Sequence, residues 1–166
     1  MQTDKNLVVE LETPRFEYGK PLLIAGLRER LPDNAGKIPA LWQRFVPYIG
    51  NVPGQVGHFA YGVSLFKGAG SGECEYCLAG VEVSDFSGLP SELSQLRIPA
   101  HKYAVFPHRE HVSRIWNTID AIGQKWLPGS GYKVAADALG FFEPYDENFD
   151  PQTGFGGMEV WMPIKV

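Results

Sequence analysis

Hydrophobic residues recur along this chain with two distinct periods. Ile38, Leu41, Trp42, Phe45, Val46 and Ile49 fall at helical spacing, so one face of a helix is expected over 38–49. Pro39 suits the first turn of that helix. Pro47 does not suit its interior and predicts an early end or a kink. A second stripe runs through Val112, Ile115, Trp116, Ile119, Ile122, Trp126 and Leu127, and PGSG follows it as a stop signal. Elsewhere the period shortens towards two. Residues 14–31 read as an extended segment around a β-rich run. Strands are expected around Tyr61–Phe66 and Glu75–Val83, joined by the glycine-rich KGAGSGE. Further strands are expected over 101–107, Leu139–Tyr145 and Met158–Lys165.

The order of these elements repeats. Ile38, Leu41 and Trp42 correspond to Val112, Ile115 and Trp116 at an offset of 74, and Gly62 corresponds to Gly140 at 78. Glu75–Tyr76 corresponds to Glu159–Val160 at 84. A drifting offset means loops of different length, hence a duplicated β-α-β-β unit rather than a short solenoid repeat. One such unit covers a single face of its sheet and leaves an open edge. The expected fold is therefore α+β: two units paired about a pseudo-twofold axis, an antiparallel sheet with two helices, and a cleft between the repeats. The whole chain, 1–166, is expected to form one domain, with repeat one over about 14–86 and repeat two over about 97–166. The stretch from Phe86 to Leu96 is the expected junction.

Composition narrows the function. The chain has 166 residues, a formal net charge of −4, and 4 Trp, 7 Tyr and 10 Phe. No stretch approaches the ~20 apolar residues of a membrane span, and MQTDKNLVVELE lacks the blocks of a signal peptide. A cytoplasmic location is expected, with no membrane partner. Without a Lys/Arg cluster, direct nucleic-acid binding is not expected either. No G-x-S-x-G, Walker A or G-x-G-x-x-G motif occurs.

The most informative stretch is 134–164. It carries Asp137, Glu143, Asp146, Glu147, Asp150 and Glu159 with no Lys or Arg, among Phe141, Phe142, Tyr145, Phe149, Phe155 and Trp161. Strand alternation puts Phe141, Glu143 and Tyr145 on one face, and Glu159, Trp161 and Pro163 on one face of the last strand. A carboxylate between aromatic rings suits an organic cation, each ring attracting it by ~0.5–2 kcal/mol. A buried carboxylate without a basic partner needs the charge of a ligand or a proton. Alternation alone leaves the face open, because Glu143 could equally point to solvent with Phe142 in the core. Pro144 suggests an edge strand, where either assignment survives.

Other chemistry-bearing residues have plainer readings. Cys74 and Cys77 have C-x-x-C spacing, but no second pair closes a zinc site and no helix follows as a redox motif needs. They read as two small strand residues on opposite faces. Asp146, Glu147 and Asp150 read as a solvated acidic loop, since the ligand spacing of an EF-hand is absent. His108 and His111 read as helix-capping or surface residues. Trp42, Trp116 and Trp126 read as core, with Trp116 the best pocket wall among them. No metal and no cofactor is expected.

The strings KYAVFPHREHVSRIWNTIDAIGQKWLPGSGYKV, FFEPYDENF and MEVWMPIKV, with IPALWQRFVPYI and HFAYGVSLF before them, resemble the GyrI-like small-molecule-binding family. That family is similar to the effector-binding domains of AraC-type and multidrug-sensing regulators. The resemblance covers roughly residues 14–166. It implies a cleft between two β-α-β-β repeats that takes hydrophobic, often cationic, ligands, with an acid deep in an aromatic pocket. Carried over by the FE-x-Y position, that acid is Glu143, with Leu65 opposite it in the first repeat. The expected ligand-binding set is Glu143, Phe141, Tyr145, Trp116, Trp161, Tyr61 and Glu159, with Glu159 ranked below Glu143. No catalytic residue is assigned, and a non-enzymatic module for a small hydrophobic or cationic molecule is the leading expectation. Family likeness also leaves open a small-molecule hydrolase and a protein-interaction module that modulates DNA gyrase or a transcription regulator. A homodimer and a protein partner stay open as well. The chain has no room for a helix-turn-helix before residue 14, so any DNA contact is expected only through a partner.

Overall fold

The structure, a computed structural model, describes residues 11–30, 38–71 and 73–165. Its strands are β1 (Arg15–Gly19), β2 (Leu22–Arg30), β3 (Gln55–Phe66), β4 (Cys74–Val83), β5 (Ser94–Ile98), β6 (His101–His108), β7 (Gly140–Tyr145) and β8 (Met158–Ile164). They form one eight-stranded sheet, in the order β1-β6-β8-β7-β3-β4-β2-β5, with antiparallel neighbours throughout. Read inward from either edge, the order has the same form, so the pseudo-twofold axis lies between β3 and β7. The α+β fold of duplicated β-α-β-β units is what the structure has.

The sheet cannot be flat. Only Lys20 and Pro21 join β1 to β2, a link that spans at most about 11 Å. Those strands stand six places apart in the order, about 29 Å across a flat sheet. Pro99 and Ala100 impose the same demand between β5 and β6. The sheet therefore rolls, with one face turned outward under the helices and the other turned inward. Leu22, Ile24, Tyr61, Val63, Leu78, Ile98, Tyr103, Val105 and Phe142 fill the inner side.

The helices cover the outer face. α1 (Ile38–Phe45) buries Leu41 and Phe45, one turn apart, against Ala25, Ala79 and Val81. Each of these two side chains contributes roughly 1.5–3 kcal/mol by burial. Pro47 does end the helix early, and the chain continues as a 3₁₀ turn over Val46–Tyr48. The second helical segment starts with a 3₁₀ turn at Val112–Arg114 and continues as α2 (Ile115–Ala121). A five-residue π segment, Ile122–Trp126, leads into α3 (Leu127–Ser130). PGSG does not stop this helix at its first residue. Pro128 is the second residue of α3, directly after the π segment, and Gly131 at φ +82° ends the helix. No helix among the described residues is long and apolar enough to cross a membrane.

Two further expectations need correcting. The junction around Phe86–Leu96 contains the start of a real strand, because SQLRI pairs with β2 as the outer strand β5. Cys74 and Cys77 do not face opposite ways. β4 carries one extra residue at Glu75, between the pairs Leu65–Tyr76 and Phe66–Cys74, and that bulge returns Cys74 to the helix-covered side. Both thiols are free.

Candidate functional site

β7 is a central strand, flanked by β3 and β8. Its alternation sends Phe141, Glu143 and Tyr145 outward beneath the helices and Phe142 inward. The open choice of face for Glu143 is thus resolved: its side chain is buried at 8% exposure. Burial raises its carboxyl to a pKa of about 7, against a smaller lowering by the Tyr145 hydroxyl, which donates to Oε1 at 3.1 Å. Among the described residues no base offsets that burial. Burial and the Glu143 charge push the Tyr145 phenol well above its ordinary value.

Gly62 makes room for the acid. It pairs with Glu143 across β3 and β7, and a Cβ there would stand 3.0 Å from Oε1 and 3.5 Å from the Trp42 ring. Leu65, expected opposite Glu143, pairs with Gly140 and packs inside the roll. The Gly62–Gly140 correspondence is therefore off by an odd number of residues, which exchanges the two faces of the sheet. Trp42 from α1 meets Tyr145 edge-on at 5.6 Å, and Trp116 from α2 meets Phe141 edge-on at 6.4 Å. Cys77 and Cys74 complete the surroundings. Burial first, and the Glu143 charge second, raise their thiols to about 12 and about 11.

The seven residues expected to bind ligand therefore divide. Glu143, Phe141, Tyr145 and Trp116 gather beneath the helices. Tyr61, Trp161 and Glu159 belong to the inner side of the sheet, in a groove of about 1000 Å³. Glu159 is not a second acid beside Glu143. Arg15 from β1 reaches it with two guanidinium nitrogens at 2.6 and 3.2 Å, and the Trp161 indole donates to it at 3.1 Å. Burial alone would raise its pKa, but these bonds hold it below the usual carboxylate value. Trp42, read from the sequence as core, is the aromatic neighbour missed beside Glu143. The matching of Trp42 with Trp116 in the helix repeat was the signal for it.

The histidines and the acidic loop have structural employment. The His111 ring accepts the Ser113 N–H and caps the 3₁₀ turn. His108 is buried rather than at the surface, with Nδ1 2.7 Å from the Thr118 hydroxyl and Nε2 2.9 Å from the His111 carbonyl. A carbonyl only accepts, so Nε2 carries the proton and Nδ1 accepts from Thr118. Asp146 and Asp150 accept the N–H of Asn148 and Gln152, forming turns.

Comparison with known proteins agrees with the fold. Residues 12–165 match the GyrI-like small molecule binding domain. The transcriptional regulator BrlR of Pseudomonas aeruginosa is 30% identical over 129 residues, 76% of this chain and 46% of that protein. This chain thus spans less than half the length of that regulator. The structure of SAV2435 bound to tetraphenylphosphonium superposes with a TM-score of 0.70 at 16% identity, covering 95% of this chain and 94% of the other. The EcmrR C-terminal domain gives a TM-score of 0.67 at 16% identity, covering 95% and 99%.

Proposed function

Because the chain belongs to the GyrI-like family of small-molecule-binding domains, we propose that it binds lipophilic organic cations, with Glu143 as the counter-charge. The observation that carries this reading is a buried carboxyl, raised to about 7, among aromatic rings and without a basic partner among the described residues. Desolvation keeps about half of it protonated at pH 7, and more at lower pH, when no cation is present. A cation that parts Trp42 and Tyr145 supplies the missing positive charge, and the acid releases its proton. Trp42, Tyr145, Trp116 and Phe141 offer ring faces worth ~0.5–2 kcal/mol each to such a guest. Likeness in fold to SAV2435, whose structure holds tetraphenylphosphonium, supports the choice of cation class.

Titration with tetraphenylphosphonium, followed by tryptophan fluorescence and calorimetry, tests the proposal. Saturable binding by the wild type and at least tenfold weaker binding by Glu143→Gln is the expected result. Equal affinity in the two proteins removes Glu143 from the role. Gln is nearly isosteric and needs no counter-charge, so loss of fold is not a competing cause.

A further inference from the structure

The inner side of the rolled sheet carries a feature that cation binding at Glu143 does not use. Four aromatic rings follow one another across β3, β7 and β8. Phe59 stacks on Tyr61 at 6.2 Å, Tyr61 meets Phe142 edge-on at 5.7 Å, and Phe142 stacks on Trp161 at 5.4 Å with 19° between the planes. The Arg15 guanidinium lies 5.9 Å from the Trp161 ring and closes the row. Phe59 at 42% exposure and Phe155 at 46% stand at the rim of the same groove, whose volume of about 1000 Å³ suits a drug-sized molecule. Exposed aromatics concentrated in a concavity are a costly surface to leave to water.

The charges around the groove decide what it accepts. Each of its three long basic side chains is already paired. Arg15 holds Glu17 and Glu159, Arg109 holds Glu12, and Lys20 lies 3.6 Å from Glu82. The Arg15 pairing uses all three guanidinium nitrogens. An anionic guest would have to break one of these pairs. A cationic guest would find Glu159 held from two sides by Arg15 and Trp161. Asp146 also lines the groove without a basic partner, its oxygens accepting from the backbone and side-chain amides of Asn148. Arg15, Lys20 and Arg109 thus stand with Glu12, Asp146 and Glu159 in the lining, three charges of each sign, and the rim offers fixed polar groups with no net charge around a floor built for stacking. Glu143 points to the other face of the sheet, so the two places are separated by the thickness of β7.

We propose that this groove is a second binding site, for an uncharged planar aromatic molecule that stacks on the Phe59–Tyr61–Phe142–Trp161 row. It is independent of the cation site in position and in the chemistry it selects.

N-Phenyl-1-naphthylamine, a neutral fluorescent aromatic, is the probe. Its emission is expected to rise saturably with the wild-type chain. The dissociation constant should stay within twofold in Glu143→Gln and in saturating tetraphenylphosphonium. It should rise at least tenfold in Trp161→Leu and in the double variant Phe59→Ser/Phe155→Ser. The latter two residues are exposed, so that variant keeps its fold even where Trp161→Leu does not, as thermal melting shows. The sulfonated analogue 1-anilinonaphthalene-8-sulfonate should bind at least tenfold more weakly than the neutral probe. Displacement of the probe by tetraphenylphosphonium at one site, unchanged affinity in the double variant, or tighter binding of the sulfonate overturns the proposal. So does sedimentation showing a dimer that the double variant dissociates and that excludes the probe, because the groove is then an interface between two copies. If tetraphenylphosphonium fails to bind at all, the probe and the groove variants still decide this inference alone.

Discussion

Gly62 and Glu143 face each other across the central strand pair, at the axis that relates the two halves of the sheet. The glycine is what lets a carboxyl be buried there, because a methyl group at position 62 would press on its oxygen at 3.0 Å. Gly62→Ala should destabilise the protein by about 1–3 kcal/mol, the usual cost of overpacking. It should also weaken tetraphenylphosphonium binding several-fold by displacing Glu143 towards Trp42 and Tyr145. Chemical denaturation and the same fluorescence titration check both effects.

The acid should make stability depend on pH. Its folded pKa of about 7 lies above the ordinary carboxyl value of 4.5, so the folded state holds the proton more tightly than the unfolded state. The full contribution is present below about pH 4.5 and is lost as pH rises through about 7. That difference corresponds to about 3 kcal/mol. Denaturant midpoints from pH 4.5 to 8 should fall in the wild type and flatten in Glu143→Gln.

Cation binding should run the other way with pH. A bound cation favours the ionised acid, so affinity for tetraphenylphosphonium should rise between about pH 5 and 8, and binding should release a proton near neutrality. Calorimetry in two buffers of different ionisation enthalpy measures the proton directly. Affinity that does not change with pH would mean that Glu143 keeps its proton in the complex.

Arg15→Ala separates the two carboxylates. It removes both guanidinium bonds to Glu159 and leaves the far side of the sheet untouched. Arg15 is half exposed, so the loss of stability should be about 1 kcal/mol or less. Tetraphenylphosphonium affinity should be unchanged; a large loss would place Glu159 in the cation site.

His108→Ala probes the tie between β6 and the second helical segment. The buried ring bridges Thr118 and the His111 carbonyl, so its removal should cost roughly 2–3 kcal/mol and leave ligand affinity near wild type. Thermal melting beside a ligand titration separates those two outcomes.

Much of this was legible in the residues. The stripe from Val112 to Leu127 and the alternation in GFFEPY specify a helix and a strand whose outward set is Phe141, Glu143 and Tyr145. What the pattern lacks is contact between distant segments. The short strand SQLRI offers only five residues between turns, too few to stand out from a polar linker. The absence of bases from 134–164 is cancelled at Glu159 by Arg15, 144 residues away in sequence. Tyr61 and Trp161 lie on the opposite face of the sheet from Glu143. A sheet has two sides, and which side a residue takes is fixed only by register. The bulge at Glu75 shows how one extra residue reverses that choice for Cys74.

The two-residue links that roll the sheet also settle which half owns which strand. β1 leads into β2 yet is hydrogen-bonded to β6, and β5 leads into β6 yet is hydrogen-bonded to β2. Each half lends its leading strand to the other, the strand exchange of a domain-swapped dimer carried within one chain. A cut between β4 and β5 would therefore yield two fragments, each carrying a strand that completes its counterpart. Reassembly from separate fragments, rather than autonomous folding of either, is built into the topology.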